Sequence, residues 1–230
     1  MAIHTEIRDG FGVITLDRID RANAYDRSHL DDLEAGFIAL SQAAHVVVIR
    51  AAGRGAFCGG ADLDELRTAT PEDARQLRSQ EVFSTIARSP VVTIAAVGGP
   101  AVGGGCELAL AADIRIVGPG ARFRLPEISL GILPAAGGCT RLPRLVGTSV
   151  AKQVILGGRT IGAEAAVRIG LALELSDDPV QAAYSLATEL AGRDPEALRL
   201  AKEIIDRGDE GPSLEAERAA QAVLYARRET

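Results

Sequence analysis

Two glycine-rich loops and two glutamates are the residues of this sequence best suited to chemistry. In Pro100-Ala101-Val102-Gly103-Gly104-Gly105-Cys106-Glu107-Leu108-Ala109-Leu110, an apolar run from Val91 to Val97 meets three successive glycines and passes directly into a helix-forming stretch. Glycines let a backbone approach a bound group closely, and the free amides of a helix start carry partial positive charge suited to a developing oxyanion. Glu107 falls one turn inside that helix. Taken alone, the segment also fits a tight strand-to-helix turn whose glutamate interacts with the helix dipole. A second loop, Ala51-Ala52-Gly53-Arg54-Gly55-Ala56-Phe57-Cys58-Gly59-Gly60-Ala61-Asp62-Leu63-Asp64-Glu65-Leu66, repeats the order of strand, glycine-rich loop and helix start. Two such loops on neighbouring strands place two backbone N–H groups around one acyl oxygen, which stabilises it as it becomes an enolate.

The elements needed to position these loops alternate along the chain. His4 to Asp9 and Gly12 to Asp17 read as a hairpin of edge-region strands around Asp9-Gly10-Phe11-Gly12. A helix is predicted over 28–43, then a buried strand, Val46-Val47-Val48-Ile49-Arg50, and one continuous helix over 71–88. The strand Val91 to Val97, the glycine turn and a helix over 104–111 complete a βαβα unit. Strands at 113–117 and 122–125 follow, then a loop through Pro126 and Pro134. Beyond it the pattern is helical over 137–146, 149–156, 163–169, 180–193, 195–207 and 213–227. Strand ends of such parallel sheets are where ligands collect.

Composition narrows the partners. The 230 residues are 47% hydrophobic, enough for one well-buried domain, and 25 basic against 31 acidic residues give a net charge of −6 without a basic cluster. Nucleic acid is an unsuitable partner. There is no signal-like N-terminus or membrane-length apolar run, so the expectation is a cytoplasmic protein without membrane contact. Cys58, Cys106 and Cys139 form no CxxC pair and have no histidines at metal-ligand spacing, so no metal is expected and all three read as small buried hydrophobes. His4, His29 and His45 read as surface or packing residues.

Phe57-Cys58-Gly59-Gly60-Ala61-Asp62-Leu63, the Pro100–Ala109 stretch, Pro126-Glu127-Ile128-Ser129-Leu130-Gly131 and Pro134-Ala135-Ala136-Gly137-Gly138 together resemble the acyl-CoA signatures of the enoyl-CoA hydratase/isomerase, or crotonase, superfamily. The resemblance runs from about residue 5 to about residue 205. It implies an α/β crotonase fold of repeated ββα units forming a stacked-sheet core over residues 1–178, with a C-terminal helical trimerisation region over 179–230. It further implies that the Ala61 and Gly104 amides form the oxyanion hole and that Glu107 and Glu127 act on the Cα–Cβ bond. Arg21, Ala22, Ala24, Gly60, Asp62, Leu63, Gly103, Pro126 and Leu130 would meet substrate or CoA. Relatives that isomerise, decarboxylate or dehalogenate often keep only one glutamate or neither, so the pair favours hydration or its reverse. A Δ3-Δ2-enoyl-CoA isomerase and a silent acyl-thioester binding subunit are the alternatives.

No cofactor is expected beyond the acyl-CoA substrate, and a homotrimer or dimer of trimers is implied. Two departures stand out. Asp64 occupies a position that is often lysine in relatives, which shifts phosphate contact towards Arg21 or Arg67. The chain also stops at Arg227-Arg228-Glu229-Thr230, short of a basic, aromatic-containing segment usual in the family. The expectation from this is a more open adenine pocket, or an acyl group carried on a carrier protein. The acyl pocket wall is expected to draw on the 68–89 region and on Leu130 to Pro134.

Overall fold

The computed structural model describes residues 2–68, 70–208 and 210–227, except for the side chains of Ala2, Leu63, residues 210–214 and Ala226. Strand β1 (Ala2–Arg8) turns through Asp9 and Gly10, both at positive φ, into β2 (Phe11–Asp17). That is the two-residue turn whose twist matches an antiparallel pair. Helix α1 (Arg27–Ala43) returns the chain to β3 (Val46–Ala51). Its start is fixed by Asp26, whose carboxylate accepts from the His29 N–H at 3.2 Å while His29 Nδ1 accepts from the Asp26 N–H at 3.2 Å.

The chain continues through α2 (Leu63–Thr68), α3 (Pro71–Arg75), α4 (Arg78–Ala87), β4 (Val92–Val97), β5 (Pro100–Val102), α5 (Gly104–Ala111), β6 (Ile114–Val117) and β7 (Arg122–Arg124). After a 3-10 turn over Glu127–Leu130 come α6 (Gly138–Ile155), β8 (Ile161–Gly162), α7 (Ala163–Arg168), β9 (Glu174–Leu175), α8 (Pro179–Ala191), α9 (Pro195–Arg207) and α10 (Glu210–Ala226).

Six strands form one sheet in the order β1-β2-β3-β4-β6-β9, antiparallel only between β1 and β2. A second sheet, β5-β7-β8, stands beside it. The valine run of β3 explains the large sheet's burial. Val47 and Ile49 pack with Leu30, Leu33 and Phe37 of α1 and Phe83 of α4, whereas Val46 and Val48 pack on the other face with Ala183, Tyr184 and Ala187 of α8. Both faces being covered, the strands read as continuous apolar runs. Thus α8, within the C-terminal helical region, closes one face of the sheet.

Three details differ from the sequence reading. β2 is interior rather than at the edge, because β3 pairs with its far side and leaves Val13 and Ile14 without exposure. The helix expected over 71–88 is broken at Gln76 and Leu77, which leave helical geometry because the Thr70–Asp73 capping box winds only a short turn with no buried face. The break expected between the helices over 137–146 and 149–156 is present within α6, at Gly147, which leaves helical geometry with φ 77° and ψ 156°. Cys139 is exposed, since the first turn of α6 buries Gly138 and Leu142 and turns Cys139 outward. Among the described residues no helix is long and apolar enough to cross a membrane, and no cluster of His, Cys, Asp and Glu is arranged to hold a metal ion.

Candidate active site

The loop after β3 and the turn after β4 are joined by main-chain pairing. Phe57 N–H donates to Pro100 O at 2.9 Å and Val102 N–H to Cys58 O at 3.0 Å, so residues 57–58 run alongside β5. On the other edge of β5 lies β7, whose Arg124 O accepts from Gly103 N–H at 2.9 Å. Three extended segments side by side therefore bring Ala61, Gly104 and Glu127 to one place. Gly103 makes the junction with φ 55° and ψ −128°, a backbone state open essentially to glycine. A methyl on Gly104 would fall on the Tyr25 phenol, with Cζ 2.8 Å away.

These segments wall a cleft of about 610 Å³. Arg21, Ala22, Ala24, Gly60, Ala61, Asp62, Gly103, Gly104, Glu107, Pro126, Glu127 and Leu130 all line it, so twelve of the thirteen sequence-predicted positions converge. The thirteenth, Leu63, begins α2, and its side chain lies outside what the structure describes. Ala61 is bracketed by Tyr25, which donates to Gly60 O at 2.9 Å and accepts from Asp62 N–H at 2.7 Å. Neither of those bonds uses the Ala61 N–H. The Gly104 N–H, first in α5 and without a side-chain cap, has no acceptor inside the helix. Among the described residues both amides are therefore available to a ligand.

Glu107 and Glu127 are buried, at 3% and 8% exposure. Glu107 Oε1 accepts from Gly138 N–H at 2.8 Å. Arg141 braces that loop, donating to Ala136 O at 2.7 Å and to Ser84 Oγ at 3.3 Å. Burial raises the Glu107 pKa to about 7, opposed by the Gly138 bond and reinforced by the charge of Glu127. Glu127, on the 3-10 turn after Pro126, is also pushed above the usual carboxylate range by burial. Among the described residues its Oε2 is buried with no hydrogen-bond partner. Two carboxyls with upward-shifted equilibria can hold a proton between them near neutral pH and pass it to and from a substrate.

The raised Glu107 equilibrium has a stability consequence. Between its ordinary value of 4.5 and about 7, the folded chain retains a proton that the unfolded chain releases, so stability falls as pH rises through that window. Glu107→Gln keeps an acceptor for Gly138 and removes the ionisation. Thermal or urea unfolding at pH 8 is expected to show the variant more stable by up to about 3 kcal/mol, with the difference vanishing near pH 4. Equal stability at both pH values would contradict the raised equilibrium.

Other expected contacts are arranged differently from the simple reading. Asp62 lines the cleft, but its carboxylate pairs with Arg18 at 3.0 Å and accepts from the Asp64 N–H at 3.1 Å. Arg67, a candidate for phosphate contact, pairs with Asp64 at 3.0 Å, while Arg21 is exposed at the rim. Leu77 and Ser79, from the 68–89 stretch expected to wall the acyl pocket, and Ala136, from the Pro134–Gly138 signature, also line the cleft, as does Tyr25, which sequence reasoning did not single out. For Tyr25 the only available signal was an aromatic beside the Arg21–Ala24 turn.

The enoyl-CoA hydratase/isomerase family model matches residues 6–229. The chain belongs to that family. Among enoyl-CoA hydratase/isomerase relatives, a probable mitochondrial enoyl-CoA hydratase of Arabidopsis thaliana is 41% identical over 203 residues, covering 86% of this chain and 67% of its own. The short-chain-enoyl-CoA hydratase of Clostridium acetobutylicum is 36% identical over 202 residues, covering 85% and 77%. The crystal structure of an enoyl-CoA hydratase from Bacillus anthracis superposes with a TM-score of 0.91 at 34% identity, covering 96% of this chain and 89% of that one. The crotonase fold is thereby established for the present chain, with its two sheets and C-terminal helices.

Proposed function

We propose that this member of the family is an enoyl-CoA hydratase, adding water reversibly across the Cα–Cβ bond of an enoyl thioester. The observation that carries the reading is the buried pair Glu107 and Glu127 beside two backbone N–H groups that have no acceptor among the described residues, in one cleft. In this reading the thioester oxygen accepts from Ala61 and Gly104, which lowers the energy of the enolate. A water lies between the two carboxyls. Its oxygen bonds to Cβ as one carboxylate takes its proton, the π electrons move onto the thioester oxygen, and the other carboxyl delivers a proton to Cα. In the same reading Arg21, exposed at the rim and close enough for its charge to act on Asp62, meets the anionic end of CoA. The exposed apolar side chains Leu156, Ile205 and Val223, outside the cleft, support assembly with further copies of the chain, for which a trimer is the proposal.

The test is mass spectrometry of the purified protein incubated with short, branched and medium enoyl-CoA thioesters. The expected result is gain of one water, abolished by Glu107→Ala and by Glu127→Ala. An unchanged mass with a shifted double bond would replace hydration by isomerisation, and tight binding without any product would leave a silent binding subunit.

A further inference from the structure

We propose that Tyr25 sets the length limit of the acyl group, its phenol closing the inner end of the cleft so that the site takes short enoyl thioesters. This rests on the hydration reading and names its substrate class. The cleft has a direction. Arg21, Asp64 and Arg67 at one end are exposed, whereas Glu107, Tyr25, Ser79 and Ala136 at the other are 3%, 7%, 7% and 2% exposed. A thioester with its charged carrier part at the mouth and its carbonyl on the Ala61 and Gly104 amides points its alkyl tail at the Tyr25 end.

That wall is rigid. The Tyr25 main chain is tied on both sides, to Gly60 O at 2.9 Å and from Asp62 N–H at 2.7 Å. Its ring packs edge-on against Phe83, centroids 5.8 Å apart at 89°, and Phe83 is itself without exposure. The phenol abuts the Gly104 Cα, where glycine alone leaves room. Nor is the wall apolar. The Tyr25 hydroxyl has the Ser79 hydroxyl as its hydrogen-bonding neighbour and feels the charges of Glu107 and Glu127, and burial raises its pKa well above the ordinary tyrosine value. An added methylene meets either a fixed ring or a pair of hydroxyls it cannot hydrogen-bond, and both penalise it.

The experiment compares kcat/KM for butenoyl, hexenoyl and octenoyl thioesters in the wild type and in Tyr25→Phe, Tyr25→Leu and Tyr25→Ala. Wild type is expected to lose about tenfold or more per two-carbon extension, the scale on which pockets resolve methylenes. Tyr25→Phe keeps that order because the ring remains, and Tyr25→Ala brings octenoyl to within about threefold of butenoyl, the size of effect left when no methylene is resolved. If Tyr25→Ala fails to fold, Tyr25→Leu is read instead, with hexenoyl gaining on butenoyl. Parallel loss on all three substrates in the folded variants, or a wild type indifferent to length, overturns the proposal. Calorimetric binding of the saturated acyl thioesters separates the two readings. Length-ordered binding without turnover defeats hydration and spares the wall, and turnover without length order defeats the wall alone.

Discussion

Glu127→Gln is expected to lower kcat by about 10²–10⁴-fold, the range for losing a positioned acid or base, while leaving affinity for a saturated acyl thioester unchanged. The reason is local. Glu127 sits on a short 3-10 turn, and its Oε2 is buried without a hydrogen-bond partner among the described residues, so no hydrogen bond described in the fold is lost with that oxygen. Glutamine keeps the shape and loses only the ability to exchange a proton. The double variant with Glu107→Gln is expected to be little slower than either single one, because two groups acting on one water fail together. Single-turnover kinetics and binding measured side by side provide the check. Wild-type kcat in Glu127→Gln would remove the second carboxyl from the mechanism.

Gly104→Ala is expected to reduce kcat by about 10²-fold or more and to lower the melting temperature as well. The new methyl falls on Tyr25, which cannot retreat because Phe83 backs its ring and its main chain is bonded on both sides. Overpacking of this kind costs about 1–3 kcal/mol. The same strain displaces the Gly104 amide, and a misplacement on the order of 1 Å at a reacting centre costs about 10²-fold. Gly55→Ala is the control, since a Cβ there meets nothing within 4 Å. Equal kcat and melting temperature in the two variants would show that the close approach of α5 to Tyr25 is dispensable.

How far the sequence disclosed this site depends on the kind of signal each residue leaves. Gly103, Gly104 and Glu107 are adjacent in the chain, and Ala61 lies in a matching glycine loop, so strand-loop-helix order was enough to pair them. Glu127 needed the family resemblance of the Pro126–Gly131 segment, because a loop glutamate after a proline carries no periodic signal of its own. Tyr25 left only its place beside the Arg21–Ala24 turn, since its site role comes from pairing with Ala61, a contact made across the fold. Ser79 was legible only as part of the 68–89 stretch, because it lies on α4 beyond a helix break that the polar stretch Glu72-Asp73-Ala74-Arg75-Gln76 did not reveal. For Asp62 the location was legible but not the engagement, because its partner Arg18 comes from a distant segment. The two-residue strands β8 and β9 are too short for a period of two to register.

The brace between the Glu107 carboxyl and the Gly138 N–H also orders events in time. As the chain leaves the ribosome, both glycine loops emerge with Glu107 well before the loop that holds its carboxyl. Until then α5 has a carboxylate facing its core with no donor, and the strand β7 that ties down Gly103 is missing. Contacts this far apart in the chain close late because their loop entropy must be met first. The N-terminal half alone therefore carries the recognisable motifs without the bonds that hold Glu107 and Gly103, and these close only after β7 and the start of α6 have been made.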